Sequence, residues 1–475
     1  MKTLMSPRIF DSSIRRILFA TCLSVLCLTA LSSQAATITV SNNGDAGAGT
    51  LRQALADAAN FDTINFNSSL NGQTITLTSG ELPVDKHITI SGPGANNLAV
   101  DANHASRVFY IPSDRRVTIS GLTITNGSAP LPYTVGGGIY NDHATLTLNS
   151  CTINGNTAVP GSGGGIYNDG YGGGATLTIT NCTISGNSAW PGGGIYNYRG
   201  TMTITDSTLS GNSDNGYNYG GAIVNTGPLT ITSSTFSGNS ASAGGGIYNA
   251  ATLAISNSTF SGNSASSGGG IYNDFGATAT MTNCTFSGNS AGGPYNVVYN
   301  GTGGGIWNAQ TLTMINCTFG GNSATIHGGG IYSVGIGNYT TSIVNIGSTI
   351  LKAGPSGENI YNDNTFYPAT VTSLGNNLSS DNGGGYLTAT GDRNNTDPRL
   401  GPLQNNGGPT FTHLPAANSP AIDAGDPALW ADQRGPGFVR IVNDRPDIGA
   451  VEVQPPPSPT PTPTPTPRPH GNPHH

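Results

Sequence analysis

Charge is scarce in this chain of 475 residues: only 9% are Asp, Glu, Lys or Arg, against roughly 25% in an ordinary globular protein. Its 17 basic residues form no run and no face. A protein that neutralises a phosphate backbone needs such a footprint, so nucleic-acid binding is excluded. Cysteine is equally sparse. Of the six, Cys22 and Cys27 lie in a leader, and Cys151, Cys182, Cys284 and Cys317 have no CxxC spacing that would hold a metal. Apolar residues reach only 35%, and a single stretch has helical periodicity, which excludes a helical bundle. What is abundant is Gly (70) and Pro (30), together about a fifth of the chain and short of the low-complexity range, with Thr, Ser and Asn supplying the balance.

Residues 1–36 read as a Sec signal peptide. Lys2, Arg8, Arg15 and Arg16 precede an apolar run over 17–31, and Ser33-Gln34-Ala35-Ala36 offers small residues for cleavage near Ala35 or Ala36. The run is shorter than the roughly 20 residues that span a bilayer, so the mature chain is expected to lack a transmembrane segment. Phe19-Ala20-Thr21 before Cys22 fits lipidation poorly. Cleavage removes those four bases and Asp11, leaving an exported chain of net charge -10.

Internal repetition dominates the remainder. An apolar residue after Gly-Gly recurs at Ile139, Ile166, Ile195, Ile223, Ile247, Ile271, Ile306 and Ile331, at intervals of 27, 29, 28, 24, 24, 35 and 25 residues. Within a unit, apolar residues alternate with strand period, as in Leu146/Leu148 and Cys151/Ile153. Three short strands repeated without reversal cannot form hairpins, because the same face must point inward in every copy. They wind as coils stacked at the interstrand spacing of about 4.8 Å, an all-β parallel β-helix solenoid. Gly-Asn pairs at Gly155-Asn156, Gly186-Asn187, Gly211-Asn212, Gly238-Asn239, Gly262-Asn263, Gly288-Asn289 and Gly321-Asn322 supply the left-handed turn. Their asparagines predict one amide ladder, and Asn141, Asn168, Asn197, Asn225, Asn249, Asn273 and Asn308 a second, broken at Ser333.

The coil ends need covers. Leu51, Ala54, Leu55 and Ala58 share one face of a helix over 49–58, an N-terminal helical cap. The expected organisation is therefore cap and first coils over 37–129, regular repeats over 130–340 and irregular terminal coils over 341–396. A C-terminal cap segment over 397–453 then precedes an extended Pro/Thr-rich tail over 454–475. Seven acids and four arginines lie between Asp397 and Glu452.

The Gly-Gly-Gly-Ile-Tyr-Asn and Cys-Thr-Phe-Ser-Gly-Asn-Ser-Ala units resemble the right-handed parallel β-helix repeats of pectate-lyase-like proteins and polymorphic outer membrane proteins. Residues 397–452 resemble the choice-of-anchor Q domain, through Ser419-Pro420-Ala421-Ile422-Asp423-Ala424-Gly425-Asp426, Asp432-Gln433-Arg434-Gly435 and Asp447-Ile448-Gly449-Ala450-Val451-Glu452. The resemblance implies a bacterial surface or secreted protein. After the Thr-Pro spacer come only His470-Gly471-Asn472-Pro473-His474-His475, without the anchoring signal that the resemblance implies.

Chemistry has few candidates. Between Pro130 and Thr340 stand five acids, Asp142, Asp169, Asp206, Asp214 and Asp274, and one base, Arg199. Asp142, Asp169 and Asp274 follow the same strand, and Asp142 with Asp169 is a weak candidate for Ca²⁺, with solvated turn acids the preferred reading and no other cofactor expected. Arg107, Arg115 and Arg116 with Asp101 and Asp114 form a charge group read as an edge ion-pair set, or as the hiding place of a lyase base. His327-Gly328 faintly resembles the Gly-His-Gly of polygalacturonases. Tyr140, Tyr167, Tyr196, Tyr248, Tyr272, Trp307 and Tyr332 should form one outward column, interrupted at Val224, which stiffens the sheet by stacking or contacts glycans. Cys151 with Cys182 and Cys284 with Cys317 stack in adjacent coils, as possible disulfides or, preferred slightly, as buried free thiols. Asp423, Asp426, Asp432, Asp444 and Asp447 with Arg434, Arg440 and Arg445 suggest an ion-paired cap ahead of a calcium site. The leading expectation is a non-catalytic, monomeric, secreted or cell-surface stalk or adhesin contacting polysaccharide or cell-surface glycans. The alternative is a polysaccharide lyase or glycoside hydrolase acting on acidic polysaccharide.

Overall fold

In the computed structural model, residues 35–131, 134–216, 219–292, 300–336, 341–365, 367–428 and 431–455 are described. Most of the leader, the stretch of the longest insertion with Pro294, Tyr295, Asn296 and Tyr299, and the tail with His470, His474 and His475 lie outside them. No helix among the described residues is long and apolar enough to cross a membrane.

Alternating strands wind into three parallel sheets. The first holds 13 strands, from Thr37–Val40 to Ala369–Gly375, and the second 11, from Leu82–Pro83 to Ile360–Asp363. The third runs from Gln73–Thr76 to Leu378–Ser379, with a flank of two-residue strands such as Thr157–Ala158. Strands Ile139–Asp142, Thr145–Asn149 and Thr152–Asn154 pair in register with Ile166–Asp169, Thr176–Thr180 and Thr183–Ser185, so the repeat in sequence becomes identity of neighbours in space. Register persists past Thr340: Ser342–Gly347 pairs with Ala369–Gly375, interrupted by one shift after Ile346.

Each repeat coil passes three times through left-handed backbone, once at the first glycine of the Gly-Gly element, φ 65–76° from Gly136 to Gly328. The glycines of the Gly-Asn pairs have φ between 60° and 68°, as expected. The third passage falls on Ser150, Asn181, Asp206, Ser233, Asn257, Asn283 and Asn316, at φ 49–56°. Asx and Ser side chains tolerate that region, and this is the place of Asp206, which is a turn residue.

The interior is layered. Ile139, Leu146, Leu148 and Ile153 are fully buried, and Phe236, Phe260, Phe286 and Phe319 stack inside at centroid separations of 4.6, 5.0 and 4.7 Å. Both asparagine ladders form at buried corners. In one, Asn187 Nδ2 donates to Asn212 Oδ1 at 2.9 Å and to the Ile153 carbonyl at 3.0 Å, so the amide is satisfied twice. The other runs from Asn141 to Asn308, whose Nδ2 donates to Ser342 Oγ at 2.9 Å; Ser333 Oγ meets the same hydroxyl at 2.9 Å, so the serines terminate the ladder together.

A third ladder occupies the cysteine column. The backbone N–H of each residue donates to the side chain of the next: Cys151 to Cys182 Sγ at 3.3 Å, Cys182 to Ser207 Oγ at 3.1 Å and Ser207 to Ser234 Oγ at 3.1 Å. Cys151, Cys182, Cys284 and Cys317 are all free and buried. Sulfur here does the work of the serine hydroxyls.

At the amino end, Thr50 caps the helix Leu51–Asp57, whose Leu51, Ala54 and Leu55 join the solenoid core, as does Ala58 beyond it. At the other end, Leu387 and Tyr386 pack against that core. The expectation of a terminal cap over 397–453 therefore needs correction. This segment runs back along the third sheet and ties itself to its outward hydroxyls. Thr259 Oγ1 donates to the Phe411 carbonyl at 2.6 Å, Thr285 Oγ1 to Gln433 Oε1 at 2.6 Å, and Ala450 N to Thr318 Oγ1 at 3.0 Å. The strap finds hydrogen bonds on a threonine column and, over the last coils, packs Ala421, Ala424 and Ile448 on outward Ile350 and Leu378.

Candidate functional site

The outward tyrosines of the second sheet are the most distinctive surface. Strand pairing places Tyr110, Tyr140, Tyr167 and Tyr196 in one register, and their rings follow at 5.5, 5.7 and 5.3 Å. The column extends beyond the residues read from the repeat, to Tyr110 at one end and Tyr361 at the other. At the Val224 interruption, Tyr219 reaches in from the preceding loop and stacks on Tyr248 at 4.4 Å. No periodicity marks Tyr219.

The column is not uniformly accessible. Tyr140, Tyr167, Tyr196, Tyr248 and Tyr272 are half-buried, whereas Trp307 is 0% and Tyr332 2% exposed. Trp307 stacks on Tyr272 at 3.9 Å, within a small apolar cluster that includes Ala309, Tyr332 and Val334. Of the two readings of the column, stacking that stiffens the sheet is the one that buried Trp307 and Tyr332 fit. Tyr171, at 57%, is the most exposed tyrosine among the described residues, stacked on Tyr198 at 5.8 Å with the Arg199 guanidinium 5.2 and 5.5 Å from the two rings.

Near the amino end the column borders a groove of about 490 Å³ lined by Glu81, Arg107, Tyr110, Val135, Tyr140, Tyr167 and Asp169. Arg107 pairs with Glu81 at 2.5 Å, donates to the Val135 carbonyl at 2.8 Å and lies 5.3 Å from the Tyr140 ring centre. The charge group read from sequence does not assemble. Asp101 accepts from Asn126, Arg115 donates to the Asp85 carbonyl, and Arg107 finds Glu81 from the previous coil instead.

Carboxylates punctuate the column. Tyr110 Oη donates to Asp142 Oδ2 at 2.8 Å and Tyr140 Oη to Asp169 Oδ2 at 3.2 Å; Tyr248 repeats this with Asp274, and Tyr332 with Asp363 at 2.8 Å. Burial first, then the acceptor carboxylate, pushes Tyr110 up to about 12, and burial likewise raises Tyr140 and Tyr167. Beside them stands His143, which the sequence reading passed over although it follows Asp142. Its Nδ1 lies 2.5 Å from Asp142 Oδ1 and its Nε2 meets the Tyr171 carbonyl of the next coil; the Asp142 bond raises its pKa.

The other sequence candidates fall elsewhere. His327 stacks on Tyr361 at 3.9 Å and meets Glu358 at 3.1 Å, an outer-face pairing. Asp214 is buried and bonds the Gly216 N–H. In the strap, Arg434 grips both oxygens of Asp432 at 2.9 and 2.7 Å over Phe438, and Arg440 lies 3.9 Å from Glu452. Asp423, Asp447 and Glu452 converge, but the two buried carboxylates accept backbone N–H groups of Asp423 and Val453 and of Val442 and Asp447. Burial pushes Glu452 up to about 7. Of the residues read from sequence here, Arg434 pairs with Asp432, while Arg445 donates to the Gly425 carbonyl.

Two family models match the solenoid. Residues 38–236 match the family model described as right handed beta helix region, and residues 233–250, 257–274 and 316–334 match the Chlamydia polymorphic membrane protein repeat. No curated protein matches the chain significantly. Among solved structures, the chain is similar to pectate lyase Pel9A at 15% identity, covering 89% of this chain and 97% of that one, with a TM-score of 0.48. It is also similar to a mannuronic-acid-specific polysaccharide family 6 lyase from human gut microbiota, at 10% identity, 73% and 87% coverage and a TM-score of 0.35. A third is an alginate lyase from Paenibacillus, at 15% identity, 68% and 98% coverage and a TM-score of 0.28. By fold and by its matched repeats, the chain is a right-handed parallel β-helix protein carrying repeats of the polymorphic membrane protein type.

Proposed function

We propose that the protein is an exported stalk or adhesin, at the cell surface or in the extracellular medium, which contacts glycans through the aromatic groove of its second sheet. The observation that carries this reading is the groove itself, where Tyr110, Tyr140 and Tyr167 offer ring faces beside Glu81, Asp169 and Arg107. Tilted and edge-to-face rings, at interplanar angles of 35° and 73°, leave faces that suit the apolar sides of sugars, and flanking carboxylates accept sugar hydroxyls. The leader over 1–36, the membrane-protein repeats and the resemblance of 397–452 to an anchor-associated domain support export and a surface place.

A catalytic role has less support. A lyase needs a strong base poised over substrate, and the cation lining this groove, Arg107, is engaged by Glu81, the Val135 carbonyl and the Tyr140 ring. The acidic groove also suits neutral sugars better than polyanions. The test is binding of neutral and acidic oligosaccharides to the mature chain, with and without Ca²⁺, while following unsaturated product by ultraviolet absorbance. Retention without product supports an adhesin; product formation replaces it by the lyase reading.

A further inference from the structure

Asp142 and Asp169 occupy the same register position on adjacent strands, and His143 follows Asp142 at a left-handed turn, φ 54°. One oxygen of each carboxylate is held from outside by a tyrosine hydroxyl, Tyr110 at 2.8 Å and Tyr140 at 3.2 Å. Such outer bonds orient ligand carboxylates in metal sites. On the inner side, donor atoms of Asp142, His143 and Asp169 all lie within 4.8 Å of one another.

The imidazole is the informative part. Nδ1 faces a carboxylate oxygen of Asp142 and Nε2 faces the Tyr171 carbonyl oxygen, so both ring nitrogens meet acceptors. A neutral imidazole carries one N–H. One of the two pairs then sets lone pair against lone pair unless a cation lies there. A metal ion on the Asp142 side of the ring removes that conflict and leaves the N–H for the Tyr171 carbonyl.

We propose that Asp142, His143 and Asp169 bind a divalent transition-metal ion, with His143 Nδ1 ligating beside the two carboxylates and Nε2–H donating to the Tyr171 carbonyl. One ring nitrogen ligates and the other keeps its N–H for its acceptor, as metal-bound histidines do. The nitrogen decides the class: Ca²⁺ takes six to eight oxygens, whereas imidazole with carboxylates suits Zn²⁺ and its neighbours. This differs from the calcium expectation drawn from Asp142 and Asp169 alone. Bond lengths of about 2.0–2.2 Å fit within the spread of donors after small side-chain adjustments. The ion would clip the turn of one coil to that of the next, beside the groove, and the inference does not depend on glycan binding.

The test is calorimetric titration of the chelator-treated mature chain with Zn²⁺ and, separately, Ca²⁺, in the absence of sugar. The expected result is one Zn²⁺ per chain, with affinity at least about tenfold lower in both His143→Gln and Asp169→Asn, and retained when His470, His474 and His475 are replaced by Ala. Circular dichroism and thermal unfolding of each variant without metal establish that it is folded. A second readout is the His143 ring resonance, which should shift with Zn²⁺ and not with Ca²⁺. Zn²⁺ binding unchanged in both folded variants, binding lost only with the tail histidines, or no binding at all would overturn the proposal.

Discussion

The hydroxyl of Tyr110 donates to Asp142 one coil further along, at 2.8 Å. The same step from a tyrosine to an acid two residues beyond the next aromatic position recurs from Tyr140 to Asp169 and from Tyr332 to Asp363. Parallel register makes this inevitable once a unit carries both residue types. The phenol is stabilised in its neutral form by burial and by its anionic acceptor, so Tyr110 ionises near 12. Replacing Asp142 by Asn should bring it back toward the usual value of about 10. Ring-labelled tyrosine followed by NMR in alkali reads this directly, and an unmoved titration would contradict it.

Burial separates the aromatic rings of the column from the exposed ring of Tyr171 beside it. Trp307→Ala removes a fully buried ring and should cost about 3–5 kcal/mol in urea unfolding. Tyr171→Ala, at a ring 57% exposed, should cost under about 1 kcal/mol. Equal losses would refute the distinction between bracing and exposed aromatics.

The thiols of Cys151, Cys182, Cys284 and Cys317 accept or fill positions in a backbone-bonded ladder and are free. A thiol reagent should find none accessible in the native mature chain and all four after unfolding in denaturant. Fewer than four on unfolding would mean that adjacent coils are cross-linked.

The strap carries a pH-sensitive contact. His413 is buried between the Gly401 carbonyl, 2.7 Å from Nδ1, and Ser287 Oγ, 2.8 Å from Nε2, so the neutral ring donates to one and accepts from the other. Burial, with Lys352 nearby, lowers its pKa. Since the unfolded ring protonates first as pH falls, its contribution is full above about 6.5 and declines below that value. Glu452, raised to about 7, works in the opposite sense: its contribution is full below its unfolded value and is lost as pH rises through about 7. Protection factors across 397–453, which remove the intrinsic slowing of exchange in acid, should therefore change more unfavourably between pH 7 and 5 in the native chain than in His413→Gln, where the opposing Glu452 contribution is common to both. The same change in both would exclude His413.

The ladder asparagines are structural. Asn212 is fully buried and bonds both neighbours in its ladder. Asn212→Ala strands a backbone N–H and an amide, each worth about 1–3 kcal/mol when buried, so the melting temperature should fall by several degrees. An unchanged temperature would argue that the ladder contributes nothing.

Much of the fold was legible because a parallel coil repeats its neighbours: inward isoleucines, Gly-Asn turns and both ladders follow from period alone. What escaped was whatever depends on distance across coils rather than along them. His143 was visible beside Asp142, but its second partner, the Tyr171 carbonyl, comes from an insertion in the following coil. Tyr219 fills the Val224 gap from a loop with no repeat signature. Glu81 and Arg107 meet only because the chain between them makes one turn. The strap read as an end cap because its composition changes at Asp397, and composition does not say on which face a segment lands.

The central claim is that the groove beside Tyr140 and Tyr167 holds glycan without cleaving it. The most direct measurement is equilibrium binding of an oligosaccharide panel to the native mature chain and to Tyr167→Ala, with product analysis of the same mixtures. The account predicts binding to at least one neutral glycan, weakened about tenfold or more by the substitution, about 1.4 kcal/mol, with no product released. Binding indifferent to Tyr167, or accumulation of cleaved sugar, would contradict it.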